Sequence, residues 1–173
     1  LGRRTPIDEA TLGIVGFGNI GRAVARKMSG WRMRTVVYDP WVAPWVAKEH
    51  NVEQAHDLHE LLRQVDYVTV HVPHNRQTDK LFGEAEFKAM KDTAFFINTC
   101  RGKVQDEAAL INALNTGEIA GAGLDVFETE PTPADNPLRT MSNVVTTPHA
   151  AGGSTRSATL SRIRAGQNAA SML

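Results

Sequence analysis

Short apolar runs alternate with amphipathic stretches along nearly the whole chain. Runs at residues 12–15, 35–38, 67–72, 93–98, 119–126 and 143–146 are short and rich in Val, Ile, Phe or small residues, and residues 51–53 offer a weaker one. Residues 67–72 (Tyr-Val-Thr-Val-His-Val) form a continuous β-prone run, which suits a strand buried on both faces of a parallel sheet. Between the runs lie helical patterns. Residues 22–28 place Ala, Val and Met on one face, and residues 46–49 suggest a short helical turn. A helix over 58–65 starts from Asp57 as N-cap, with Glu60 completing a capping-box-like pair. Further helices are predicted over 84–90, over 106–115 with Gly117 as the stop, and over most of 154–173, while residues 1–10 read as a lead-in loop. Strand and helix in strict alternation predict one α/β domain spanning residues 1–173, a doubly wound parallel sheet in three α/β/α layers.

Composition narrows the setting. A chain of 173 residues that is 42% hydrophobic and 22% charged is long enough for one well-buried domain. Nineteen basic and nineteen acidic side chains balance to zero, so no global field points to nucleic acid or an anionic membrane. Cys100 is the single cysteine, which rules out an intrachain disulfide and fits a reducing, cytoplasmic setting. No apolar run is long enough to span a bilayer. The first residue is Leu1, with no signal-peptide pattern after it, which suits a piece of a longer protein.

The first apolar run breaks into Gly16-Phe17-Gly18-Asn19-Ile20-Gly21, and a helix pattern follows. Strand, G-x-G-x-x-G and helix in that order form a pyrophosphate cradle of the Rossmann type. Gly16 permits the tight turn, Gly18 leaves room for the phosphates, and Gly21 lets the helix pack closely on the strand. The anion rests on free amides at the positive end of the helix dipole. Asp39 closes the second run about 20 residues on, where a carboxylate accepts hydrogen bonds from a ribose 2′-OH. It would repel a 2′-phosphate, so NAD is favoured over NADP.

Ligands of such sheets sit outside the carboxyl ends of the strands. Those ends carry His71, Val72 and Pro73; Thr99, Cys100 and Arg101; Asp125 with Glu128 and Glu130 behind it; and Pro148-His149. An arginine, a carboxylate and a histidine therefore converge beside the expected nicotinamide. Cys100 reads as a small residue lining that site rather than a nucleophile. His71 and His74 flank Pro73 and read as lining the cleft. His56 and His59 lack companions of metal-ligand type, so no metal site is expected.

The glycine motif, Asn98-Thr99-Cys100-Arg101-Gly102, Gly123-Leu124-Asp125-Val126-Phe127-Glu128-x-Glu130-Pro131 and Thr147-Pro148-His149 together resemble the D-isomer-specific 2-hydroxyacid dehydrogenases, in order, from about Leu12 onward. Within that family the chain is most similar to the phosphoglycerate dehydrogenase and hydroxypyruvate/glyoxylate reductase side. The resemblance implies hydride transfer between NAD(H) and C2 of a 2-hydroxy or 2-oxo acid. It implies His149 as acid/base, Glu130 as the carboxylate that favours the charged imidazole and fixes its ring, and Arg101 as the binder of the substrate carboxylate. Asp125 resembles the residue that hydrogen-bonds the nicotinamide carboxamide. Cofactor contacts are implied for Gly16, Gly18, Asn19, Ile20, Gly21 and Asp39. They are also implied for Val72, Pro73, Thr99, Cys100, Arg101, Asp125, His149 and Gly152. Glu128 competes with Glu130, but the spacing before Pro131 favours Glu130.

The chain departs from the family pattern at two places. His74 stands where the family usually has leucine, and residues 150–155 are one residue longer than common versions. The family's separate substrate-binding domain, built mostly from residues before the glycine loop, is not represented. The chain therefore reads as a coenzyme-binding domain that binds NAD but turns over poorly alone, and the family implies a homodimer. Formate dehydrogenases of the superfamily fit less well, because they pair the histidine with glutamine where Glu130 stands. A non-enzymatic NAD-sensing module, like dehydrogenase-related transcriptional co-repressors, is the alternative reading.

Overall fold

The computed structural model describes residues 6–171. The start of the expected lead-in loop and the last two residues of the expected final helix lie outside them. The elements are β1 (Thr11–Val15), α1 (Asn19–Met28), β2 (Arg34–Tyr38), α2 (Pro44–Glu49), β3 (Glu53–Gln54), α3 (Leu58–Leu62) and β4 (Tyr67–Val70). They continue with α4 (Glu84–Ala89), β5 (Phe95–Asn98), α5 (Glu107–Thr116), β6 (Gly121–Leu124), β7 (Val144–Thr146) and α6 (Thr155–Ala170). All seven strands form one parallel sheet in the order β3-β2-β1-β4-β5-β6-β7. The chain winds outward from β1 to β3, then returns to the other side of β1 for β4. That reversal opens a crevice at the carboxyl ends of β1 and β4.

Boundaries differ from the pattern-based expectation for local reasons. The run over 67–72 leaves the ladder after Val70: the His71 amide still donates to the Val15 carbonyl at 2.7 Å, and Pro73 has no amide to give. Helix α2 begins at Pro44 rather than Val46, because proline at the first helical position forfeits no bond. The weak strand sits at Glu53–Gln54, fixed by pairing with Val36 and Val37. At α3 the Asp57 carboxylate caps the Glu60 amide at 2.7 Å. The Glu60 carboxylate reaches the His56 amide instead of that of Asp57, so only one arm of the capping box forms.

The alternation of side chains along the inner strands divides the core into two. Val15, Val36, Val68, Val70, Phe96 and Leu124 face one cluster with Leu61, Leu62, Phe87 and Leu110 from α3, α4 and α5. Leu12, Ile14 and Val37 face the other, with Ala25 from α1 and Val46 and Ala47 from α2. Within the first, Phe96 lies 4.8 Å from Phe82 and 5.2 Å from Phe87 between ring centres. Each such ring removed from water contributes about 2–3 kcal/mol. Helices thus flank both faces of the sheet. On the α1 side the cover thins beyond β4, where Phe95 and Val145 are exposed. No residue of α6 is buried.

Candidate active site

The glycine loop is shaped by contacts that exclude side chains. Gly16 adopts φ +91°, and its amide donates to the Tyr38 carbonyl at 2.9 Å. A Cβ on Gly21 would stand 2.1 Å from the Gly16 carbonyl oxygen, so α1 crosses β1 at a distance only glycine allows. A Cβ on Gly18 would meet nothing within 4 Å. The space over Gly18 is open, α1 starts there with no side-chain cap, and its first turn holds no acid. An unblocked amide end facing open space suits a pyrophosphate. The Asp39 carboxylate accepts from the Phe17 amide at 2.8 Å and the Trp41 amide at 2.9 Å. It ties the glycine loop to the end of β2 and keeps further lone pairs for ribose hydroxyls. Ile20, Asn19 and Gly18 are exposed along the rim, and half-buried Val72 and exposed Pro73 stand across it after β4.

His71 turns inward: its Nε2 lies 3.0 Å from the Thr69 hydroxyl, and burial lowers its pKa, which favours a neutral ring. After β5, the fully buried Asn98 holds the next loop. Its amide nitrogen donates to the Arg101 carbonyl at 3.0 Å and to Gln105 Oε1 at 2.9 Å, and its oxygen accepts from the Cys100 amide at 2.9 Å. Burial raises the Cys100 thiol pKa, opposed by nearby amides and the Arg101 charge, so the thiol is a poor nucleophile. Thr99 and Arg101 are exposed, and Arg101 Nη1 donates to the Cys100 carbonyl at 2.6 Å. Gly102 is buried against the Phe127–Glu128 backbone, where a Cβ would fall 1.9 Å from the Phe127 carbonyl. This contact locks the Arg101 loop to the loop after β6.

Asp125 ends that strand buried, and its carboxylate accepts from the Thr147 hydroxyl and from the Ala150 and Ala151 amides, each at 2.8 Å for the amides. Its carbonyl also accepts from the His149 amide at 2.9 Å. The carboxylate therefore organises the turn that presents His149, whose φ is +52°. Burial acts to raise the Asp125 pKa, but the Thr147 hydroxyl, the two amides and the His149 charge outweigh it, and the net direction is down. With the folded value below the unfolded one, the stabilisation is complete above the ordinary carboxylate range, about pH 4, and fades as pH falls through the folded pKa. Asp125→Asn is expected to cost about 2 kcal/mol at neutral pH, because an amide group must face donors. Thermal unfolding should show a Tm lower by about 5 °C, a gap that narrows below about pH 4. Equal melting of the two proteins at neutral pH would contradict this role.

Glu128 and Glu130 part company here. Glu128 Oε1 accepts from the Glu107 amide at 2.9 Å and so caps α5, while Glu130 Oε2 lies 2.7 Å from His149 Nδ1. Glu130 Oε1 accepts from the Phe127 amide at 3.1 Å. The hydrogen bond to His149 is the main reason that the Glu130 pKa is lowered, helped by that amide. His149 stands between two clefts. The larger, about 640 Å³, is lined by Asp125, Glu130, Pro131, Arg139 and Thr147; the smaller, about 200 Å³, is lined by His74, Arg101, Lys103, Phe127 and Glu128. Gly152 is exposed in the turn beyond. The structure thus brings Arg101, Glu130 and His149 to one edge, with Asp39 and the glycine loop along the same carboxyl-end rim. Sequence reasoning quoted Asn98 and Gly102 within a motif but gave them no role, and it did not consider Gln105. A glycine directly after Arg101 was the only local signal.

The model of the D-isomer specific 2-hydroxyacid dehydrogenase NAD binding domain matches residues 2–151. The chain belongs to that family. A glyoxylate reductase of Korarchaeum cryptofilum is 51% identical over 144 residues, covering 83% of this chain and 43% of the reductase. A D-3-phosphoglycerate dehydrogenase of Methanocaldococcus jannaschii is 43% identical over 148 residues, covering 86% of this chain and 28% of that enzyme. The NAD-complexed D-isomer specific 2-hydroxyacid dehydrogenase of Lactobacillus delbrueckii ssp. bulgaricus superposes with a TM-score of 0.81 at 36% identity, over 88% of this chain and 50% of that one. The chain is a D-2-hydroxyacid dehydrogenase NAD-binding domain, spanning half or less of the lengths of these relatives. Among the described residues, no three His, Cys, Asp or Glu side chains cluster to hold a metal ion, and no helix is long and apolar enough to cross a membrane.

Proposed function

We propose that the protein carrying this chain interconverts a D-2-hydroxy acid and its 2-oxo acid with NAD(H). The observation that carries this reading is the His149–Glu130 pair, 2.7 Å apart, beside a cleft that Arg101 also lines. Glu130 occupies Nδ1 and fixes the ring, leaving Nε2 without a partner among the described residues. In reduction, Nε2–H donates a proton to the carbonyl oxygen at C2, and in oxidation the neutral ring takes it back. Arg101 holds the substrate carboxylate with its planar fork and polarises the adjacent carbonyl. Asp125 acts through the turn it builds, holding His149 in place. The cofactor, when bound along the glycine loop and Asp39, supplies or accepts the hydride.

We further propose that the second wall of the cleft comes from a separate substrate domain, so that this chain alone binds NADH but turns over poorly. A cytoplasmic homodimer is the assembly we propose for the whole protein; Leu160 and Ile163, 42% and 49% exposed on α6, are candidates for burial against a partner or a second domain. The test is loss of NADH absorbance with hydroxypyruvate, glyoxylate and phosphohydroxypyruvate, using the protein that carries this chain. Consumption of NADH with at least one of them is expected. Binding of NADH without turnover of any would favour a non-enzymatic NAD-sensing module instead.

A further inference from the structure

The turn that carries Arg101 is held by two buried amides. Arg101 precedes a single 3-10 turn over Gly102–Val104, and Gln105 follows it. Asn98, at the end of β5, and Gln105 are both fully buried. The Asn98 Nδ2 group reaches both ends of the turn, donating to the Arg101 carbonyl at 3.0 Å and to Gln105 Oε1 at 2.9 Å. Asn98 Oδ1 accepts from the Cys100 amide at 2.9 Å and from the Cys100 thiol at 3.1 Å. A carbonyl can only accept and a backbone amide can only donate, so these partners fix which way the Asn98 side chain faces. Its second N–H then needs an acceptor, which Gln105 supplies from a rigid base. The Phe82 amide donates to the Val104 carbonyl at 3.0 Å, and the Asp106 amide donates to the Phe82 carbonyl at 2.8 Å, so the backbone around Gln105 is laddered to Phe82.

This arrangement works against stability. With Oε1 turned to Asn98, Gln105 Nε2 is buried without a partner among the described residues. An apolar side chain of similar length would remove that pair of unmet donors and leave one, on Asn98. Packing alone therefore favours an apolar residue here, and what the amide adds is an oxygen for Asn98. Resting on the reading of Arg101 as the group that holds the substrate carboxylate, we infer that Gln105 is a positioning residue for substrate binding. It acts through Asn98, keeping that side chain on the Arg101 carbonyl. The carbonyl in turn sets where the guanidinium leaves the turn and enters the cleft it lines with His149. Being fully buried, Gln105 has no surface of its own to offer a substrate.

Gln105→Met, made in the protein carrying this chain, removes the oxygen at nearly constant volume. KM for the 2-oxo acid should rise about tenfold, with kcat and NADH affinity changed less than about twofold. Tm should hold or rise, because fewer donors are left unmet. The rise in KM should vanish in an Arg101→Ala background, where no guanidinium remains to be placed. Gln105→Leu should behave in the same way. Unchanged KM, an equal rise with and without Arg101, or a fall in Tm in both variants would make Gln105 a core residue only and overturn the inference. If the wild-type protein reduces no 2-oxo acid, the reductase reading fails on its own, and amide exchange then decides the part played by Gln105. In Gln105→Met the Cys100 amide, which donates to Asn98 Oδ1, should exchange about tenfold faster while the amides of β5 keep their wild-type rates. Acceleration shared equally by β5, or none at all, would reject the coupling.

Discussion

His149→Ala is expected to lower turnover by about three orders of magnitude while NADH binds almost as tightly as before. The imidazole has a ring nitrogen without a partner among the described residues, facing the clefts, and a carboxylate behind it. Without it, the proton needed at the carbonyl oxygen must come from water, which is not positioned. The glycine loop and Asp39 lie on the β1–β2 half of the sheet and are hydrogen-bonded to each other, not to His149. Cofactor affinity, read by NADH fluorescence, therefore separates from kcat. Because His149 has φ +52°, part of any loss could come from the backbone; His149→Asn tolerates that conformation and should be equally inactive. Turnover that survives either substitution would remove His149 from the chemistry.

Gly21→Ala is expected to have the opposite signature, a loss of NADH affinity of about a hundredfold together with lowered stability. The added Cβ would lie 2.1 Å from the Gly16 carbonyl oxygen and 3.3 Å from Ile14 Cγ2, so α1 must move off the strand. Overpacking of that kind costs about 1–3 kcal/mol, and the shift carries the amides of the helix start away from the phosphates. Gly18→Ala makes the informative control. Its Cβ meets no protein atom within 4 Å and its φ of −73° suits alanine, so Tm should hold while affinity falls. If Gly18→Ala bound NADH normally, the open space above Gly18 would not be where the phosphates sit.

Much of this was legible because it is local. The order of elements follows from runs and periodicities, and Gly16 and Gly21 announce backbone positions that no other residue fills. Asp39 was legible as a strand-end acid at the right distance, though not its grip on the Phe17 amide, which pairs residues 22 apart. The boundaries moved where the ladder, not propensity, decides: residues 71 and 72 are as β-prone as their neighbours, but the flanking strands end at Val15 and Asn98, and only the His71 amide still reaches one of them. The hold of Asp125 on Thr147, Ala150 and Ala151 spans 22 to 26 residues, and no pattern within either segment encodes it. The same is true of Gly102 against Phe127. The competition between Glu128 and Glu130 turns on whether a side chain faces α5 or β7, which depends on how the loop after β6 folds back.

The most direct measurement follows the hydride itself. NADH deuterated at the transferable position is incubated with the protein carrying this chain and a 2-oxo acid, and the product is read by NMR. The account predicts deuterium at C2 of a D-configured 2-hydroxy acid, with the hydroxyl proton drawn from solvent through His149. Product without deuterium at C2, or bound NADH that never transfers its deuterium to any 2-oxo acid, would contradict it.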